Sequence, residues 1–329
     1  MISSEWRRFF LVRLPVAALI VTAAAEVPAY FLSGVTLHRH VVDDLAAAVI
    51  HDPTPYKVAL VGDSVTHIVT SRFRVGDPGE VADLTTHAQA GLPSSFFLIK
   101  RYLESGHRPQ HVVLAISRYV LVSPLPKNTF QRYVQTVFTL PFERDFLRHE
   151  YHDYGDYRWK PALFSLETRV AEPLFSLARH PRDEIPVASQ SPLPNPELEQ
   201  LSSESIPAQY QLRVDTPTEI RPEAATILTA LCQLGRRYHF QLHVIWAPVQ
   251  TDLWKVLETK GTLRRIDQQL TALAAANKVT ISVVDASTEH SYPYFDHEYN
   301  HIRGVGWEQV YANQLTAYIH GFESESPGV

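Results

Sequence analysis

Cysteine is all but missing: Cys232 is the single example in 329 residues. An internal disulfide framework and a cysteine-rich zinc site are therefore excluded, and the redox compartment stays open. Basic charge is not in excess either, with 30 Lys and Arg against 35 Asp and Glu and a net charge of −5. Such a chain has no reserve of cations to track a nucleic-acid backbone, so no nucleic-acid partner is expected. Glycine is scarce, 13 against 23 prolines, which favours ordered loops over flexible linkers. No repeat with a period of roughly 20–50 residues is visible, which excludes solenoids and propellers. What is present is an ordinary apolar content, 45%, in a chain long enough for one large α/β domain with an insertion.

Charge is thinnest near the start. From Phe9 to Leu32 the chain reads FFLVRLPVAALIVTAAAEVPAYFL, interrupted only by Arg13 and Glu26. A membrane span takes about 20 apolar residues, and apolar residues here cover every helical face, unlike an amphipathic soluble helix. Arg7 and Arg8 precede the run, and Asp43 and Asp44 follow it. That asymmetry places the N-terminus in the cytoplasm and the remainder outside. A signal peptide cleaved after Ala23-Ala24-Ala25 competes with this reading, but Phe31 and Leu32 carry the apolar run past that point. The expected organisation is a single-pass anchor in the cell (inner) membrane over residues 1–36, then an extracytoplasmic, periplasmic domain over 37–329 with an irregular insertion at about 122–220.

Beyond the anchor, Leu37 to Ile50 reads as a helix. Short continuous apolar runs, Lys57 to Val61, His111 to Ile116, Gln241 to Trp246 and Thr280 to Val284, read as buried strands of a parallel sheet. Leu84 to Gly91 is expected to be a strand and turn. Helical spacing marks Ser94 to Glu104, Pro222 to Tyr238, Leu263 to Asn277 and Gly306 to Ile319. Within the insertion, helix is expected near Gln131 to Phe146 and Ala162 to Leu177, and a Ser/Pro-rich loop at Pro186 to Pro217. The β-α-β alternation at both ends predicts an α/β fold with helices on both faces of a parallel sheet.

Two segments carry chemistry. Val58-Ala59-Leu60-Val61-Gly62-Asp63-Ser64 ends a buried strand in Gly-Asp-Ser, at the carboxyl edge where open α/β folds bind ligands. A serine there can present its Oγ to solvent, while the start of the following helix offers backbone N–H groups to a developing oxyanion. Read alone, the same triplet is an ordinary helix N-cap. Near the end, Asp296-His297-Glu298-Tyr299-Asn300-His301-Ile302-Arg303-Gly304 supplies a base with an acid three residues before it, and the chain order becomes Ser…acid…His.

This arrangement resembles the SGNH (GDSL-type) hydrolase superfamily. Within it the chain is most similar to membrane-anchored acyl-transfer proteins, namely the teichoic acid D-alanyl-transfer protein and the polysaccharide O-acetyltransferases. The matching pieces are the anchor, LVGDSVTH, VVLAISRYVL, IWAPVQTDLW and NHIRGVGW, spanning most of residues 1–120 and 240–320. The resemblance implies an SGNH-like, flavodoxin-like fold. It makes Ser64 the nucleophile and His301 the base, with Glu298, or Asp296 two residues earlier, orienting the imidazole. Gly91 and the N–H of Ser64 become oxyanion donors. The family's Gly-x-Asn-Asp block is replaced by Ala115-Ile116-Ser117-Arg118, which leaves a second side-chain oxyanion donor unassigned. The implied activity is acyl transfer, O-acetylation of an extracytoplasmic polysaccharide or cell-envelope polymer, with no metal or other cofactor. An integral membrane partner would deliver the acyl group.

Two further readings stand beside it. One is a non-catalytic SGNH-like subunit of a membrane complex. The other takes His297-Glu298-Tyr299-Asn300-His301 as H-E-x-x-H, a zinc peptidase motif. Trp307 occupies the position of a metzincin third ligand, and Pro293 with its aromatic neighbours reads as loop, both against zinc. His67, three residues after Ser64, is read first as a surface or capping residue, with approach to the site as the alternative, and His87, beside Gly91, either lines the pocket or caps a turn. His149, His152 and the tyrosines from Tyr151 to Tyr157 are read as packing of the insertion, with sugar stacking as the alternative. Arg118 is either an anion ligand or half of a structural ion pair.

Overall fold

The computed structural model describes residues 6, 9–17, 20–21, 48, 51–86, 91–125, 130, 134, 137–138, 140–151, 219–292, 302 and 304–324. The chain divides into two compact units, Met1–Arg39 with His152–Ser191, and His40–Tyr151 with Pro192–Val329. In the first unit, Phe9–Arg13 form a π-helical turn, and Trp6, Phe9, Phe10, Leu11, Val12, Leu14, Val16, Ile20 and Val21 are all exposed. Trp6, Phe9 and Phe10 cluster with ring centroids 5.4–5.9 Å apart. Among the described residues, no helix is long and apolar enough to cross a membrane. The expected helices at Leu37–Ile50 and Ala162–Leu177 and the loop at Pro186–Pro217 lie outside the described residues, save Ala48 and Ile50's neighbour His51, which are helical.

The second unit is built on five parallel strands: β1 (Val58–Gly62), β2 (Val81–Asp83), β3 (His111–Ile116), β4 (Gln241–Trp246) and β5 (Ile281–Asp285). Their spatial order is β2-β1-β3-β4-β5. β1 and β3 are buried along their whole length, as their uninterrupted apolar sequence requires in a sheet covered on both faces. The expected strand at Leu84 starts three residues earlier, at Val81. Leu84 and Thr86 follow the strand, their N–H groups donating to Leu60 O and Gly62 O.

Alternation along the strands sends two sets of side chains to opposite faces. Val58, Leu60, Val113, Ala115 and Ile245 share a core with Val65 and Val69 of α1 (Ser64–Thr70). Tyr311, Leu315 and Ile319 of the closing helix join them. The other face is covered by α2 (Gly91–Glu104), and by the later helices Pro222–Tyr238 and Thr262–Ala276, which pack on one another. In chain order the remaining helices are α3 (Tyr119–Val122), α4 (Pro141–Glu150), α5 (Pro222–Tyr238), α6 (Thr251–Thr259), α7 (Thr262–Ala276) and α8 (Val305–Ser324). The helix expected from Gln131 to Phe146 is thus described only from Pro141 onward. α6 was not among the expected helices, although Leu253, Trp254, Val256 and Leu257 give it an apolar stripe at helical spacing. It begins because the Gln250 side chain accepts from the Asp252 and Leu253 N–H groups, a cap from a residue type that seldom provides one.

α4 docks on α2 through Phe142 and Phe146, and with Phe138 just before α4 their rings meet Phe97 of α2 at 4.9–6.0 Å. Beneath them Arg101 makes a two-pronged pair with the fully buried Glu143, at 2.7 and 2.8 Å. Removing one partner of such a pair strands a buried charge, at a cost of roughly 3–5 kcal/mol.

Within the sheet, His111 Nδ1 and His243 Nε2 lie 3.0 Å apart, both side chains buried. Phe322 of α8 stacks on His243 with centroids 3.7 Å apart. Burial first, and His111 second, push the His243 imidazole from its ordinary 6.5 down to about 4. The folded protein therefore holds His243 neutral where the unfolded chain would protonate it. This contribution to stability is complete above the unfolded value and is lost as pH falls from about 6.5 toward about 4. His243→Leu should flatten the fall in unfolding free energy across that window by up to about 1.4 kcal/mol per pH unit. Urea titrations of both proteins at a series of pH values measure it; parallel curves would contradict the assignment.

Candidate active site

The strand order reverses direction between β1 and β3, and in a doubly wound sheet the crevice outside the carboxyl ends of those two strands is the ligand site. Gly62-Asp63-Ser64 closes β1 at that crevice, and Ser117-Arg118 closes β3. Asp63 is the residue that joins them. It is the N-cap of α1, with extended backbone, and its Oδ1 accepts from the Val65 N–H at 3.0 Å. Its Oδ2 accepts from the Ser117 N–H at 2.7 Å, across the crevice. The carboxyl group is 5% exposed. Burial raises its pKa, and hydrogen bonds from the Ser117 N–H and hydroxyl and from the Val65 and Thr66 N–H groups oppose the rise. The capping reading of this triplet is thus correct for Asp63, and the cap also fixes the next residue.

Ser64 is the first residue of α1 and is buried, at 7% exposure. α1 has only seven residues, and Asp63 already takes one of its leading N–H groups. Gly62 makes the turn possible by being bare: a Cβ on it would sit 2.7 Å from Ala115 O and 2.7 Å from Thr66 Cβ. Behind the serine, the Thr66 hydroxyl donates to Ala115 O at 2.8 Å, and Tyr311 OH meets Thr66 Oγ1 at 3.2 Å. Burial drives the Tyr311 phenol well above its ordinary pKa, so it remains a donor.

Gly91 opens α2 with φ of +62°, a conformation that glycine adopts without penalty. Because helices of a parallel sheet run back from its carboxyl edge, α1 and α2 both begin at that edge. His67 lies one turn after Ser64, half-buried, with Nδ1 3.3 Å from Thr85 Oγ1. Thr85 also meets Thr70 Oγ1 at 2.8 Å and donates to Asp83 Oδ1 at 2.7 Å. Burial lowers the His67 pKa, against the attraction of Asp83. His67 is therefore part of a polar wall beside Ser64 rather than a surface cap. Asp83, Thr85 and Thr86, polar residues on either side of the buried Leu84, were the available signal.

Arg118 resolves as a structural ion pair. It lies over Trp246 at 4.7 Å, bonds Asp285 at 3.0 Å and reaches Asp267 at 3.2 Å. Tyr151 is buried and stacks on Phe130 at 4.7 Å, consistent with packing; His149 lies in the last turn of α4. His87, His152 and the later tyrosines of that stretch, Asp296, His297, Glu298 and His301 lie outside the described residues. The positions flanking the histidine segment are described. Tyr292 and Ile302 are buried in the same core as Val65 and Val69, and Glu308, at the start of α8, takes Arg72, two residues past α1, with both of its oxygens at 2.7 and 2.8 Å.

No protein-family model matches the chain, and no curated protein matches it. Among solved structures it is similar to "a putative platelet activating factor from Streptococcus pneumonia", with a TM-score of 0.42 and 10% identity, over 84% of this chain and 90% of that one. What the crevice does has to be read from its own geometry.

Two substitutions test that geometry. Gly62→Ala forces backbone apart and should cost roughly 1–3 kcal/mol. Asp63→Asn turns one of two accepting oxygens into a donor facing an N–H, and should cost about the same by leaving a buried group unpaired. Chemical denaturation reads both; wild-type midpoints would show that the β1–β3 bridge is dispensable.

Proposed function

We propose that the protein is a serine-dependent acyltransferase or esterase of SGNH type, anchored in a membrane, that transfers an acyl group, acetyl in the first instance, to an extracytoplasmic polysaccharide or cell-envelope polymer. The observation that carries the reading is the Asp63 bridge, which holds Ser64 at the β1/β3 switch point. Ser64 Oγ attacks the acyl carbon, and His301 takes its proton. The tetrahedral oxyanion is met by the N–H groups of Ser64 and Gly91. The tetrahedral species collapses, the donor's leaving group departs with the proton that His301 returns to it, and the neutral imidazole then takes the proton of the acceptor hydroxyl, whose oxygen attacks the acyl-serine and releases Ser64, which regains a proton from His301. Glu298, or Asp296 in its place, orients the imidazole. Support for His301 comes from its neighbour Ile302, whose side chain packs in the core that also holds α1. Support for the anchor comes from the run of exposed apolar side chains from Trp6 to Val21, of a kind that soluble surfaces rarely carry. An extracytoplasmic site cannot draw on a cytoplasmic acyl donor, so an integral membrane partner supplies it.

One observation favours the non-catalytic alternative. The segment that replaces Gly-x-Asn-Asp spends its groups elsewhere: Ser117 on Asp63, and Arg118 on Asp267 and Asp285. It therefore adds no oxyanion donor, and each such donor is worth roughly 10²–10³ in rate.

Turnover of a small activated acetyl ester separates the readings. Ser64→Ala and His301→Ala should each abolish it, by roughly 10³-fold or more. His297→Ala, and treatment with a strong chelator, should leave most of it. An inactive His297→Ala together with an active Ser64→Ala would instead establish the zinc peptidase motif, and an inactive wild type would favour the scaffold.

A further inference from the structure

The amino edge of the sheet, opposite the serine, holds a second cluster. The loop between α1 and β2 meets the last turns of α8 there. It turns tightly through Gly76-Asp77-Pro78-Gly79-Glu80, with φ of +73° at Gly76 and +80° at Gly79. The Asp77 N–H donates to Glu80 Oε2 at 2.8 Å, which draws the two carboxylates to one side. The Gly76 N–H donates to Thr316 Oγ1 at 3.1 Å, pinning the loop to α8 one turn before His320. His320 Nε2 then lies 3.5 Å from Glu80 Oε2 and 3.8 Å from Asp77 Oδ2. All three donor atoms fall within 4.8 Å of one another. Glu80 is buried, and Asp77 and His320 are exposed.

We propose that Asp77, Glu80 and His320 bind a divalent transition-metal ion, zinc in preference to magnesium or calcium, that clamps the end of α8 to the α1–β2 loop. The spacing is the first argument. Ligands at about 2.1 Å from a tetrahedral ion stand about 3.4 Å apart. The separations of 3.5 and 3.8 Å are close to that value, so a small side-chain rotation completes the site. The donor set is the second. One imidazole with two carboxylates suits zinc and its neighbours, whereas magnesium and calcium take oxygen alone. Burial is the third: Glu80 keeps a carboxylate in a desolvated place, where a cation offsets the cost. Water fills the remaining position. Because the cluster sits at the amino edge, the ion stabilises the packing of α8 and takes no part in the reaction at Ser64.

The test uses the full chain, freed of metal by chelator and dialysis, with thermal unfolding and calorimetric titration of zinc chloride and magnesium chloride. Zinc should raise the wild-type melting temperature, and magnesium should not. Asp77→Asn and His320→Ala both alter exposed side chains, so the fold survives; each should weaken the zinc-dependent shift by roughly tenfold or more in zinc concentration. His297→Ala is the control for the sixteen histidines of the chain and should keep the shift. No zinc-dependent shift in the wild type, or an equal shift in Asp77→Asn and His320→Ala, overturns the proposal. So does a His320→Ala loss of stability that is the same with and without zinc, the behaviour of a plain ion pair.

Discussion

A single carboxylate organises the candidate site. Asp63 ends β1, caps α1 through the Val65 N–H and crosses to β3 through the Ser117 N–H. Three elements are thereby tied at the one place in the sheet where the strand order opens a crevice. The tie has a requirement on each side. Gly62 must lack a Cβ so that β1 and α1 can approach Ala115, and Ser117 must turn its N–H inward at the end of β3. A buried carboxylate is expensive unless its oxygens are satisfied, and here each accepts from a backbone N–H that no helix or strand ladder uses. The cost of burying the charge is offset by groups whose position the fold itself fixes, and Ser64 inherits that rigidity.

The same logic extends through the rest of the second unit. α1 and α8 lie on one face; Arg72, just past α1, pairs with Glu308 at the start of α8, and Phe322 near the other end of α8 stacks on His243 of β4. Tyr292 and Ile302 are both buried in that common core. On the opposite face the aromatic cluster around Phe97 and the Arg101–Glu143 pair hold α4 against α2. Arg118 closes the carboxyl end of β3 against Asp285 of β5 and Asp267 of α7, so the strand ends around the crevice are cross-linked rather than free.

Much of this was legible in the sequence, for physical reasons that differ by element. His111–Ile116, Gln241–Trp246 and Pro222–Tyr238 match their expected bounds, because continuous apolar runs and a clean helical period are unambiguous when both ends carry turn residues. β2 was displaced because three residues of mixed polarity give no pattern; it pairs only by following β1. α6 carries an apolar stripe at Leu253, Trp254, Val256 and Leu257, but its nine residues directly after a strand, begun by a Gln250 side chain that rarely caps, give that stripe little more than two turns in which to show. At the site, Gly62-Asp63-Ser64 announced its position, but not that Asp63 would reach β3. That contact joins residues 54 positions apart, and nothing local encodes it. The ion pairs that occupy Arg118 are equally non-local, and so is the meeting of Glu80 with His320.

The central claim is that Ser64 is held as a nucleophile. A fluorophosphonate probe, which forms a stable bond only with an activated serine, tests it directly when the modified peptide is identified by mass spectrometry. The account predicts stoichiometric addition at Ser64, abolished by prior unfolding. Addition at another serine, or none on the folded full-length protein, would contradict it.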